Sequence, residues 1–154
     1  KPSFRKSVAE KRCLVLADGF FEFRELNGKK YPYFIRVKER ELFAMAGLFD
    51  EWINRQSGEL VRSFSILTTQ ANPLMEKIHN RKKRMPVILQ KKDESGWLDF
   101  SKDSHQLAEP FNEKLMEAYT VSGLLTSKNP ARNSAAVSEK YIYPEIEMAD
   151  LMNI

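Results

Sequence analysis

The sequence is poor in the residues that cross-link or metallate a small domain. It holds one cysteine, Cys13, and two histidines, His79 and His105. One cysteine excludes an internal disulfide framework and a multi-cysteine zinc site, and two histidines leave little for a histidine-rich metal centre. Glycine and proline number only 6 and 7, which excludes collagen-like and linker-like chains. No apolar run approaches the roughly 20 residues that a membrane-spanning helix needs. Neither G-x-G-x-x-G nor G-x-x-x-x-G-K-[ST] occurs, so there is no glycine-rich phosphate loop. Lys1-Pro2-Ser3-Phe4-Arg5 has no signal-peptide character and no initiating methionine. The chain is therefore expected to begin part-way through a longer protein.

What is present is an ordinary globular balance, 42% hydrophobic and 30% charged over 154 residues. That length suits one domain with its own core and excludes a disordered chain. Charge is unevenly placed. Residues 1–100 carry 20 Lys and Arg against 13 Asp and Glu, and residues 101–154 carry 5 against 8. A basic body with an acidic tail points mildly to a polyanionic partner, although a solvated surface accounts for the same numbers.

Patterning predicts a β-rich α+β domain of mostly antiparallel strands with short peripheral helices. Residues 1–11 have helix-compatible spacing. Cys13–Ala17 is a short continuous apolar run, read as a buried strand, and Asp18-Gly19 breaks it. Phe20–Arg24 and Tyr31–Val37 flank Asn27-Gly28, the strongest hairpin signal in the chain. Leu42–Trp52, Val61–Thr69, Met85–Leu89 and Tyr119–Ser122 are further strands. Gly47, inside a strand, predicts close approach of another backbone. Leu74–His79 is a short helix after Asn72-Pro73. Gly96–Phe100, Ser104–Leu107 and Glu109–Leu115 are helical turns, and everything after Ser127 reads as polar.

Four features carry candidate chemistry. Glu22, in Gly19-Phe20-Phe21-Glu22-Phe23, is either a poorly hydrated carboxyl suited to proton transfer, or a strand residue facing solvent opposite Phe21 and Phe23. His79 ends a short helix, where imidazole meets the helix dipole and exchanges protons near neutral pH. His105 reads as a surface residue. Arg81-Lys82-Lys83-Arg84 is the densest positive cluster, able to hold a phosphodiester backbone or to stand solvated. Cys13, inside an apolar run, reads as a structural thiol.

These residues fall into a resemblance. Arg12-Cys13-Leu14-Val15-Leu16-Ala17-Asp18-Gly19-Phe20-Phe21-Glu22-Phe23 looks like the R-C-[LI]-[VI]-P-A-x-G-[FY]-[YF]-E-W block of the SRAP family of abasic-site processing proteins. Pro32–Ile35, Phe43–Trp52, Phe64–Asn72 and Ile78–Leu89 match the family's following blocks in order, and Tyr119-Thr120-Val121-Ser122 resembles its closing strand. The resemblance implies a pseudo-barrel of antiparallel strands, here a single domain over residues 1–154. It implies binding of single-stranded DNA that contains an abasic site. It further implies an N-terminal cysteine, exposed by autocatalytic removal of the initiator methionine, that forms a thiazolidine crosslink with the ring-opened deoxyribose. By motif match the proton-transfer roles fall on Glu22 and His79, and phosphate binding on Arg81, Lys82, Lys83 and Arg84. No metal and no organic cofactor are implied. A monomer in the cytoplasm, nucleoid-associated if bacterial and without membrane attachment, is expected.

The chain departs from the family pattern in three ways. The M-C-G-R start, the W-G-x-[IV]-P block and the N-A-R-x-E block belong upstream of Lys1. Asn80-Arg81-Lys82-Lys83 precede Arg84 where the family has a single residue, so Arg81 and Arg84 compete for the phosphate role. Leu16 replaces a proline and Phe23 a tryptophan. A non-covalent single-strand binding module, using the basic loop and the aromatics without chemistry, is the rival reading.

Overall fold

A computed structural model describes residues 5–101, 103 and 107–152. The elements run α1 (Arg5–Glu10), β1 (Arg12–Ala17), β2 (Phe20–Leu26), β3 (Lys29–Val37), β4 (Phe43–Ile53), β5 (Leu60–Ile66), β6 (Thr68–Gln70), α2 (Pro73–Ile78), β7 (Arg84–Pro86), α3 (Glu94–Leu98), β8 (Met116–Thr120) and α4 (Pro144–Met152). His105 and part of the expected turn over Ser104–Leu107 lie outside the described residues.

Three antiparallel sheets form, ordered β1-β4-β5, β2-β3-β8 and β6-β7. They adjoin without closing into one ring of strands, so the expected pseudo-barrel is realised as three leaning sheets. The β2–β3 hairpin turns at Asn27 and Gly28, whose φ values of 51° and 77° are the paired positive angles of a tight primed turn. That turn sets the register, which places Glu22 opposite Tyr33 and Arg24 opposite Tyr31. The β4 strand is buried on both faces over Phe43–Leu48, which is why its sequence reads as a continuous apolar run. Phe43 and Met45 enter the larger core with Tyr31, Tyr33, Ile35, Met75, Ile78 and Met85. Ala46 and Leu48 enter a second cluster with Val87, Leu89 and Trp97. Residues 87–89 continue past β7 alongside β4, with Ala46 N–H donating to the Val87 carbonyl and Leu89 N–H to the Ala44 carbonyl, each at 2.9 Å. This segment joins the sheets.

Several expectations are corrected. The β1 strand is only half-buried, and Leu16 is 63% exposed. What approaches Gly47 is chiefly side chain: a Cβ there would lie 2.8 Å from Val15 Cγ2 and 2.9 Å from Cys13 Sγ. The Glu109–Leu115 helix shrinks to one tight turn at Glu113–Leu115, because Pro110 biases the residue before it away from helix and Asn112 caps the turn. The closing strand starts earlier, at Met116, which pairs with Val37. The tail is not merely polar. It ends in α4, with Pro144 at its start, acids in its first turn and Ile146 buried in the larger core.

Candidate active site

Strand alternation puts Phe20, Glu22, Arg24 and Leu26 on one face of β2. Phe20 and Leu26 pack against the larger core, so this is the inner face. Phe21 and Phe23 therefore project from the other face, where the Phe21 ring lies 4.9 Å from that of Phe34. The reading of Glu22 as a strand residue facing solvent needs correction. It is not ringed by its aromatic neighbours, and it does not face open solvent. It stands half-buried on the core face, its side chain 26% exposed.

The helix α2 brings the imidazole to it. Asn72 caps the helix, its side-chain oxygen accepting the Met75 N–H at 2.9 Å, and Pro73 occupies the first turn. Met75 and Ile78 anchor the helix in the core. The helix ends at His79, whose N–H donates to the Met75 carbonyl at 2.7 Å. His79 Nδ1 then lies 2.9 Å from the Arg84 carbonyl oxygen and 3.4 Å from Glu22 Oε2. Two oxygens facing one ring nitrogen place the proton on Nδ1, which donates to the Arg84 carbonyl, and leave Nε2 without it. The other carboxylate oxygen, Glu22 Oε1, accepts the Phe23 N–H at 2.9 Å.

The loop after His79 is bolted to β2. Asn80 Nδ2 donates to the Glu25 carbonyl at 2.7 Å, and Asn80 Oδ1 accepts the Glu25 N–H at 3.1 Å, so one amide side chain pairs with the strand as another strand would. The Lys83 N–H closes the turn onto the His79 carbonyl at 2.8 Å. Of the basic cluster, Arg81 pairs with Glu25 at 3.2 Å and Lys83 with Glu76 at 3.9 Å. Lys82 and Arg84 are exposed and have no ion pair among the described residues. Arg84 opens β7, and its backbone is the group that holds His79.

Sequence reasoning missed two neighbours. Tyr33 stands directly opposite Glu22, and its hydroxyl interacts electrostatically with Arg24. Burial pushes the Tyr33 hydroxyl above its ordinary value, and Arg24 opposes the shift. The only advance signal was spacing, since Arg24 lies two residues beyond Glu22. Cys13 lies elsewhere, on β1 against Gly47, and burial raises its thiol. No group of three or more His, Cys, Asp or Glu side chains among the described residues could hold a metal ion. No helix among them is long and apolar enough to cross a membrane.

The family description SOS response associated peptidase (SRAP) matches residues 1–128. The chain belongs to the SRAP family. SRAP relatives include the abasic site processing protein YoqW of Bacillus subtilis (strain 168), 41% identical over 146 residues that make up 92% of this chain and 62% of YoqW. Abasic site processing protein HMCES of Xenopus tropicalis is 35% identical over 147 residues, 80% of this chain and 41% of that protein. A crystal structure of a Bacteroides thetaiotaomicron protein superimposes with a TM-score of 0.84 at 38% identity, covering 92% of this chain and 62% of that one. This SRAP chain thus spans about three fifths of the length of YoqW.

Proposed function

We propose that this chain is the larger part of a protein that processes abasic sites in single-stranded DNA, with residues 1–154 forming one domain. The nucleophile of this reading is an N-terminal cysteine, freed by autocatalytic hydrolysis of the bond to the initiator methionine and not contained in these 154 residues. Its α-amine attacks the aldehyde carbon of the ring-opened deoxyribose, and water leaves as the imine forms. The thiol adds to the imine carbon and a proton passes to nitrogen, closing a thiazolidine. Every step moves a proton, and none calls for a metal or an organic cofactor.

The observation that carries the reading is the Glu22–His79 pair, 3.4 Å apart although the two residues come from distant blocks of the chain. The carboxylate and the free Nε2 of the imidazole are suited to take and return the protons of imine formation and reversal. Arg84 and Lys82, without an ion pair among the described residues, are the better phosphate ligands of the basic cluster, because Arg81 and Lys83 already face carboxylates. The names of YoqW and HMCES, both called abasic site processing proteins, agree with this substrate.

The test is covalent capture. A protein joining this chain to a family-type segment with an N-terminal cysteine is expected to form a heat-stable adduct with abasic single-stranded DNA, and the chain from Lys1 alone is expected to form none. In the longer protein, Glu22→Gln and His79→Gln should each slow adduct formation by about 100-fold or more. Undiminished rates in both variants would remove the pair from the chemistry. Binding without any adduct would instead establish the non-covalent module.

A further inference from the structure

The tail beyond the family match ends in an acidic helix laid against the site. The match stops at residue 128. The helix α4 carries Glu145, Glu147 and Asp150 and no basic residue. It docks through three contacts along β2 and β3. Ile146 is buried in the larger core, the Tyr31 hydroxyl donates to Glu145 at 3.0 Å, and Arg24 Nη1 donates to Asp150 at 2.6 Å. Asp150 lies one helical turn beyond Ile146, so it shares the docking face.

The partner of Asp150 matters because of where it stands. Arg24 is on the same face of β2 as Glu22, two residues or about 6.6 Å along the strand. It also interacts electrostatically with Tyr33, the residue directly opposite Glu22. Its side chain is only 11% exposed, while Asp150 remains 52% exposed. Arg24 is thus a largely desolvated cation beside the proton-transfer pair, with its charge answered by a carboxylate from the tail. Leaving such a cation without an anion is costly, so release of Asp150 requires a replacement. A DNA phosphate flanking a sugar bound at Glu22 and His79 is an anion that could take that place.

We propose that α4 is an acidic strap, in which Asp150 occupies on Arg24 the position taken by a backbone phosphate when single-stranded DNA enters the site. This rests on the DNA reading above. It adds Arg24 to the phosphate ligands and makes the tail a competitor of the substrate. The strap holds the empty site closed to weak polyanions, and a strand that fills the site exchanges one anion for another.

The intact chain tests this with a single-stranded oligonucleotide carrying a stable tetrahydrofuran abasic analogue, titrated by fluorescence anisotropy over a range of salt. Asp150→Asn is nearly isosteric. It is expected to bind roughly three- to fivefold more tightly. The salt slope of binding should stay nearly the same, because one phosphate meets Arg24 in both forms. In an Arg24→Gln background the same substitution should produce no gain. A second measurement uses the unaltered chain: amide hydrogen exchange over residues 145–150 should quicken when DNA saturates it. If the unaltered chain binds, while Asp150→Asn gains no affinity and α4 exchanges no faster with DNA, Asp150 is a structural pin and the strap is overturned. If no form binds the oligonucleotide, the DNA reading fails and the strap fails with it.

Discussion

Cys13 shows how position decides what a reactive residue type can do. It stands opposite Gly47 in the β1–β4 ladder, its sulfur against the face where a side chain would otherwise be. Its carbonyl accepts the Trp97 indole N–H at 2.9 Å, so the residue is tied into the second core through its backbone as well. Burial pushes the thiol up, which suppresses the thiolate. Its own nitrogen is locked in a peptide bond, so it cannot supply the amine of a thiazolidine. Replacing it with alanine removes one polarisable atom from a half-buried site. Cys13→Ala is expected to lower stability by about 0.5–1 kcal/mol and to leave crosslinking by a protein with an N-terminal cysteine intact. Chemical denaturation and the adduct assay check the two halves, and loss of the adduct in this variant would move the nucleophile to β1.

At the scale of elements, the β2–β3 hairpin and α2 together create the site, and each is specified locally. The hairpin depends on two residues with positive φ, and Gly28 at 77° is the one whose freedom the turn uses most. Nothing lies within 4 Å of a Cβ built on Gly28, so any cost of Gly28→Ala comes from the backbone alone. That cost should be about 1 kcal/mol. Gly123 has equally open surroundings but no positive φ, so Gly123→Ala should be close to neutral or slightly stabilising. Urea unfolding of both variants makes the comparison, and equal effects would show that the turn does not need its glycine. A hairpin that slips by one residue would turn Glu22 to the outer face and away from His79, so the pair depends on its register.

For the whole molecule, the acidic tail and the basic body interact in a way that pH should reveal. The Glu145 carboxyl is held below its ordinary value, first by its own backbone N–H and then by the Tyr31 hydroxyl. Asp50 is held low mainly by Lys11, its ion-pair partner. A carboxyl depressed on folding contributes stability that is fully present above its unfolded value and is lost as the pH falls through its folded one. Tyr31 and Tyr33 lie at the other end. Burial raises both hydroxyls above 10.0, so their contribution is present below that pH and is lost as the pH rises past it. A plot of Tm against pH should fall on both sides. Glu145→Gln should flatten the acid limb and soften the alkaline limb, because Glu145 adds to burial in raising the Tyr31 hydroxyl. An unchanged acid limb would show that α4 is not held through this carboxylate.

The sequence by itself determined the antiparallel α+β character, the hairpin at Asn27-Gly28 and the helix after Asn72-Pro73, and it singled out Glu22 and His79 as candidates. Each of these depends on interactions within a few residues or on an ordered series of family blocks, and both are carried by the linear chain. It did not determine which way Glu22 faces. Alternation fixes only that Glu22 lies opposite Phe21 and Phe23, and the sheet's packing partners decide which face is the inner one. Tertiary structure likewise decided which arginine is free. Arg81 and Arg84 are equivalent as letters, but the turn after His79 directs Arg81 to Glu25 and leaves Arg84, at the start of β7, with no ion pair among the described residues. It also decided the role of the tail. Nearly half of the residues after Ser127 are apolar, but they form no clear helical stripe that announces a docked helix, and buried Ile146 with two acids meeting Tyr31 and Arg24 suffices once the sheet is there to receive them. Contacts over more than 100 positions depend on where the rest of the chain has gone, and no local pattern encodes that.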